Sequence, residues 1–445
     1  MPTKTMLKHE PIWTAGVESQ GQQFPGGRHC VDTVVIGAGL AGLSAAWHIL
    51  AKRPEQTLLV LEAGRIGSGA STRSTGMLTP GIGQNLAALI KRVGVEQARG
   101  MYNQTLWAVN YAGELAQKLG IDCELEMGGQ LIVAHGAKGS ERLRNQAQAF
   151  AELGLPHELL SSAELDHLVH LKHSPDATCD PAAIRLPIAG TLHPGRMVNG
   201  LAQQVLDLGG IIYEQAKVTN ISSGQPATIT IEGGGEIVAN KVILATSGNA
   251  PDLGIMKGRV LPVHLSVLLT EPLSPAEMQV LGWQGRECII DSRRLFNYFR
   301  LTKDNRIIFG GGLPRYHWGG STMPEPDNPE YLAELSAEFR NTIPDEIELK
   351  VARSWNGLID YVLDTIPAIQ YLPNKPAVIH VGGWSGHGVA LTIASGAWVA
   401  HLVNEGIPPE QLPWFRANPP FIPFEPARFI GFQATTLVMS LMDRA

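Results

Sequence analysis

Charge is scarce in this chain: Asp, Glu, Lys and Arg make up 17% of its 445 residues, against roughly 25% in an average soluble protein. That deficit points to a large buried interior and a sizeable apolar ligand, and it excludes disorder for most of the chain. Basic runs are absent, and 35 basic against 41 acidic side chains leave a formal net charge of −6. Nucleic-acid binding needs clustered positive charge, so no nucleic-acid partner is expected. Cysteine is equally sparse. Cys30, Cys123, Cys179 and Cys288 stand far apart without CxxC spacing, which argues against structural zinc and a disulfide framework. The 14 histidines show no HxH or HExxH pattern, so no metal is expected. No run of 18 apolar residues occurs, and Glu10 and Pro11 fall where a secretory signal needs an apolar core. A soluble, cytoplasmic protein with no transmembrane segment is the expectation.

What is present begins after a polar, Gly- and Pro-containing arm, residues 1–30, with Trp13 as its expected apolar anchor. The run Val31–Ile36 fits a buried parallel strand and leads into Gly37-Ala38-Gly39-Leu40-Ala41-Gly42 and a helix-like segment. Residues 57–62 form a second apolar run ending in Glu62, so 31–62 spell one βαβ unit. The first glycine allows a tight turn, the second lets backbone approach a pyrophosphate, and the third permits close helix packing, while the helix N-terminus favours negative charge. Glu62, twenty residues beyond Gly42, can accept hydrogen bonds from both ribose hydroxyls and would repel a 2′-phosphate. Dinucleotide binding is the resulting expectation.

The small, flexible stretch 64–83 is too poor in apolar residues for a core element and suits a ligand-wrapping loop. Residues 86–170 read as helices, with a capping box at Ser161–Glu164. A second nucleotide-domain segment spans 196–250, including Val218, a hairpin across Gly233–Gly235, and the strand ending at Ala245-Thr246. Alternation over 260–350 predicts antiparallel strands facing water on one side. A buried strand at 376–381 then precedes the turn Gly382–Gly388 and a helix. The tail holding Met439 and Met442 suits a short docked helix.

The loop Glu62-Ala63-Gly64-Arg65 through Ser71, Ser74, Thr75, Gly76 and Met77 resembles the flavin-embracing segment of the D-amino acid oxidase superfamily. LATSGNA at 244–250, the strand 260–273 ending in TEPL, Tyr298-Phe299-Arg300 through Gly311, and Gly383-Trp384-Ser385-Gly386-His387-Gly388 resemble that family's remaining motifs in order. Trp355-Asn356-Gly357 resembles the approach to its last cofactor strand. Within the superfamily the chain most resembles the gamma-glutamylputrescine oxidase-like amine oxidases.

The resemblance implies an α/β plus α+β architecture: a Rossmann-like, glutathione-reductase-type FAD-binding domain with an antiparallel-sheet substrate domain. The FAD domain is expected at 31–85, 196–250 and 351–430, the substrate domain at 86–195 and 251–350, and a terminal helix or tail at 431–445. The activity implied is oxidation of a C–N bond in a small-molecule amine by hydride transfer to flavin N5, with the imine hydrolysed and the electrons passed to oxygen or another acceptor. FAD is expected to be noncovalent, because residues 352–358 lack the cysteine that covalent relatives carry near this segment. Ala390 stands where sarcosine-oxidase-like members place a lysine, and residues 77–81 lack their basic side chains, so an extended amine fits better than a small α-amino acid.

His387 is expected either to donate to the flavin or to pin its own turn. His264 follows Pro262 near where some oxidases place a basic residue, or is an ordinary strand residue. Trp384 and Trp355 are expected near the ring, and Tyr298 or Phe299, not both, in the substrate pocket. Arg300 would anchor an anion or form a surface salt bridge, and Asp360 and Asp364 would fix loops. Alternatives are a D-amino acid dehydrogenase-like enzyme using a quinone, a non-catalytic flavin-binding protein, and an NAD-dependent dehydrogenase.

Overall fold

The β-branched run opening the nucleotide signature forms the strand Arg28–Ile36 in a computed structural model, which describes residues 10–14, 19–172, 180–323, 328–409, 412–416 and 418–444. Cys179 and parts of the N-terminal arm lie outside the described residues. Val34, Val35 and Ile36 are buried, as a parallel strand covered on both faces requires. Leu58–Leu61 and then Ile211–Glu214 lie parallel to this strand on one side. On its other side lie Glu236–Leu244 and then Lys375–Gly382, also parallel.

The helices Leu40–Lys52 and Gly388–Glu405 share the largest core with one sheet face. They approach so closely that a Cβ on Gly396 would lie 2.2 Å from Ser44 Oγ. The opposite face is covered by an antiparallel flap, Val218–Ile221 with Ala227–Ile231, which pairs with the first half of Glu236–Leu244. The second half of that strand runs in the parallel layer.

A second sheet of eight strands carries Val351–Val362, Val260–Thr270, Ile307–Arg315, Tyr298–Leu301, Cys288–Asp291, Gln130–Val133, Ala183–Leu186 and Glu158–Leu160, in that order. Several expectations change here. Val351–Val362 pairs along almost its whole length with Val260–Thr270, so it belongs to this sheet and not to the nucleotide layer. The segment read as helical contributes the strands Gln130–Val133 and Glu158–Leu160, because a short apolar run such as QLIV fits either period. Cys288–Asp291 and Gln130–Val133 are parallel, so the sheet is mixed. The outer face of its central strands is covered: Phe299, Leu301, Ile307 and Phe309 pack against Leu335, Phe339 and Ile343 at the helix Pro329–Thr342.

The N-terminal arm is built into the body. Trp13 is 2% exposed and donates from Nε1 to Ser74 O at 2.8 Å, and Gln22–Gln23 adds an edge strand beside Ile211–Glu214. The terminal helix runs from Glu425 to Arg444, longer than the tail expected at 431–445. Among the described residues no helix is long and apolar enough to cross a membrane.

Candidate functional site

The glycine turn has the shape its sequence demands. Gly37 adopts φ +106°, and a Cβ there would lie 2.6 Å from Ala245 O, so the position requires glycine. A Cβ on Gly42 would lie 1.9 Å from Gly37 O. Gly39 caps the helix Leu40–Lys52 without a side-chain hydrogen bond of its own, and Leu40 N donates instead to Ser71 Oγ at 2.9 Å. Leu40 and Ala41 are buried beneath the turn. Glu62 accepts from Ala38 N at 2.9 Å and from Gly64 N at 2.8 Å, and burial holds its pKa above the ordinary carboxylate value. It therefore ties the glycine turn to the following loop, where Ala63 and Arg65 are exposed. Ala245 and Thr246 follow the strand Glu236–Leu244, and the buried Thr246 Oγ1 has no hydrogen-bond partner among the described residues. Val218 is 8% exposed and packs in the flap core.

From this turn the loop 71–77 runs across the inner face of the second sheet, held by three side chains. Trp13 takes Ser74 O, Trp355 Nε1 donates to Arg73 O at 3.0 Å, and Arg300 Nε donates to Thr75 O at 2.6 Å. Arg300 also reaches Leu192 O at 2.8 Å and lies over the Trp13 ring at 5.1 Å. It is 4% exposed, and burial pushes its pKa down to about 10. Arg300 is thus neither a surface ion pair nor an anion anchor, and Trp355, 3% exposed, does not line the pocket. Both side chains sit on the inner face, but the loop lies between them and the cavity.

The turn at the other end of the site is held by Asp360. Its carboxylate accepts Gly383 N at 2.7 Å and Trp384 N at 3.2 Å, while Ser385 Oγ accepts Val362 N at 3.1 Å. Gly383, Ser385 and Gly386 all have positive φ, which these contacts enforce. His387 N donates to Trp384 O at 2.9 Å, and its Nδ1 is buried without a partner among the described residues. Burial lowers the His387 pKa, so the ring is neutral at pH 7. The Trp384 indole turns into the large core, 5% exposed, and does not line the pocket, which corrects its expected place near the ring.

Asp360 is 2% exposed, and burial pushes its pKa up to about 7. The folded state therefore binds this proton more tightly than the unfolded chain. The resulting stabilisation is complete below pH 3.8 and is lost as pH rises through about 7. Relative to Asp360→Asn, the wild type should lose thermal stability steadily across that window. A gap between the two melting temperatures that does not change with pH would contradict this assignment.

Between the loop and the turn lies a cavity of about 450 Å³. Thr75, Met77, Ser385, Gly386, His387 and Gly388 line one side, and Leu261, Val263, Leu265, Tyr298 and Gly357 line the sheet side. Strand alternation places Tyr298 inward and Phe299 in the outer core. The same alternation turns His264 outward, where Nε2 meets Ser321 O at 3.0 Å and the ring lies 5.0 Å from His317. His264 is therefore not part of the cavity wall. The helix Glu425–Arg444 closes the cavity with Phe432, Thr435, Thr436 and Met439. Gln130, Phe296 and Arg294 also line it, and no spacing rule in the sequence marks them.

These residues fit FAD: a glycine cradle that a Cβ would fill, an orphaned Thr246 hydroxyl, a helix N-terminus for phosphates, and an apolar cavity flanked by backbone amides. A family model described as FAD dependent oxidoreductase, DAO, matches residues 32–402. The gamma-glutamylputrescine oxidoreductase of Escherichia coli is 30% identical over 424 residues, covering 93% of each chain. The probable oxidoreductase OrdL of Haemophilus influenzae is 28% identical over 378 residues, covering 84% of this chain and 82% of that one. Among solved structures, glycine oxidase from Geobacillus kaustophilus superposes with a TM-score of 0.69 at 20% identity, covering 85% of this chain and 95% of that one. L-proline dehydrogenase from P. horikoshii gives the same TM-score at 23% identity, with coverages of 86% and 96%.

Proposed function

The chain belongs to the DAO family of FAD-dependent oxidoreductases, which act on C–N bonds, and on that premise we propose that it oxidises an extended amine of the gamma-glutamylputrescine type. One feature carries the choice of an extended substrate: Ala390 and the uncharged stretch 77–81 stand where the resemblance to sarcosine-oxidase-like members would place basic side chains for a small amino acid's carboxylate. The 30% identity to the Escherichia coli gamma-glutamylputrescine oxidoreductase supports the same reading.

Bound FAD supplies the hydride acceptor at N5. The glycine turn with Thr246 would hold its nucleotide half, and Thr75 to Met77 with the Ser385–Gly388 turn would hold its ring, without a covalent link. The protein's own work is then positional and electrostatic. Apolar walls of Leu261, Val263 and Leu265 disfavour an ammonium ion, so the substrate nitrogen is driven to its neutral, reactive form. Backbone amides of the Gly386–Gly388 turn and the start of the helix Gly388–Glu405 favour negative charge developing beside them. Tyr298 has its pKa raised by burial, so its hydroxyl stays protonated and can donate.

The test is anaerobic mixing of the yellow holoenzyme with gamma-glutamylputrescine, free polyamines, N-methyl amino acids and D-amino acids. Rapid bleaching by gamma-glutamylputrescine, and slower or no bleaching by the small amino acids, is the expected result. Failure of every amine to bleach the flavin would remove the reading.

A further inference from the structure

A second cavity, about 530 Å³, adjoins the first and shares Gln130, Ile290, Arg294, Phe296, His387 and Met439 with it. The charge around this pair of chambers is one-sided. Among the described residues no Asp or Glu lines the first cavity, and only Asp291 lines the second. Asp291 is already engaged by Arg293, at 2.6 Å from Nη2 and 3.0 Å from Nε, and Glu338 adds a second carboxylate to Arg293 at 2.9 Å. Arg142 and Arg294 share a single carboxylate, Asp443, at 3.1 and 3.7 Å. Arg92 donates to the backbone oxygen of Asp364 at 2.8 Å and has no carboxylate partner among the described residues. Among these groups four arginines face three carboxylates, so one positive charge is left over beside the second chamber.

Two features show what that charge can take. Asp443 is held by Arg294 N at 2.9 Å and Leu295 N at 3.0 Å as well as by the two guanidinium groups, so this corner already receives a carboxylate. Gln130 is 4% exposed at the junction, and its side-chain amide makes no hydrogen bond to a described residue. Lining both chambers, the Gln130 amide can pair with a polar group of a ligand threading the junction.

We propose that Arg294 is the specificity residue of this enzyme: it receives a carboxylate carried by the substrate at the end remote from the C–N bond that is oxidised. This rests on the amine-oxidising reading above. A diamine without an acid brings no anion for Arg294, whereas an amine bearing a remote carboxylate pairs with Arg294 while its shaft passes Gln130. Arg294 acts as the choice because it alone among these arginines lines both chambers.

The experiment compares holoenzyme, Arg294→Ala and Arg294→Lys in two assays. The first is anaerobic flavin reduction by gamma-glutamylputrescine and by 4-aminobutanoylputrescine, which differ only in the carboxylate. Wild type should prefer the acid-bearing amine in kcat/KM, and Arg294→Ala should erase the preference, a loss on the order of 10-fold or more for a charge-assisted contact. Arg294→Lys should recover part of it. The second assay is calorimetric binding of N-butyl-gamma-glutamine, which keeps the carboxylate and lacks the oxidisable amine. Arg294→Ala should weaken this Kd by a similar factor, with FAD content unchanged. Equal wild-type rates for the two amines, or binding of the inert ligand that is indifferent to Arg294, overturns the proposal. If no amine reduces the flavin yet the inert ligand still binds through Arg294, the oxidation reading fails and the carboxylate site stands.

Discussion

Gly42→Val should purify without the yellow colour of bound flavin. A Cβ at this position would lie 1.9 Å from Gly37 O and 3.1 Å from Val35 Cγ1. Overpacking that a side chain can relieve costs about 1–3 kcal/mol, but here the obstacle is the backbone of the phosphate-binding turn itself. Relief requires the helix Leu40–Lys52 to back away from the sheet, and that withdraws its N-terminal amides from the pyrophosphate. Gly100→Ala is the control, because a Cβ there meets nothing within 4 Å in the helix Val95–Lys118. Flavin content by absorbance and folded state by circular dichroism decide the matter. A Gly42→Val protein carrying a full complement of FAD would show that this turn does not hold the nucleotide.

Arg300→Met should destabilise the protein by about 3 kcal/mol or more and loosen its hold on flavin. The guanidinium donates to Thr75 O, Leu192 O and Leu301 O at 2.6, 2.8 and 3.1 Å. Each carbonyl left buried without a donor costs about 1–3 kcal/mol, and methionine fills the volume without supplying one. Arg300 remains charged at neutral pH even with its pKa lowered to about 10. Because the lost bonds anchor the loop 71–77, denaturant midpoint and flavin affinity should fall together. A variant with a lower midpoint and wild-type flavin affinity would mean that the loop is held by Trp13 and Trp355 alone.

The nucleotide half of the site was legible because its requirements are local. Gly37, Gly39 and Gly42 are adjacent in sequence, and each is dictated by contacts within one turn or with one neighbouring strand. Tyr298 was legible in part, since alternation separates it from Phe299 whichever face is buried. Alternation could not say that His264 points away from the cavity, because that depends on which face of the sheet meets the nucleotide unit. Trp355 and Arg300 do share the inner face with Tyr298, yet the loop 71–77 lies over them. The sheet to which Val351–Val362 belongs is not legible locally, because its partner, Val260–Thr270, lies about ninety residues away in the chain.

By itself the sequence determined that a βαβ unit binds a dinucleotide, that a glycine-rich loop and a Ser-Gly-His-Gly turn accompany it, and that charge is too sparse for nucleic acid. These follow from short-range sterics and composition. Only the tertiary structure decided which side chains face the cavity, that Asp360 holds the turn, and that arginines from 92, 142 and 294 gather beside Gln130. Those groups come from distant segments, and no periodicity within one element encodes where another element will lie across it.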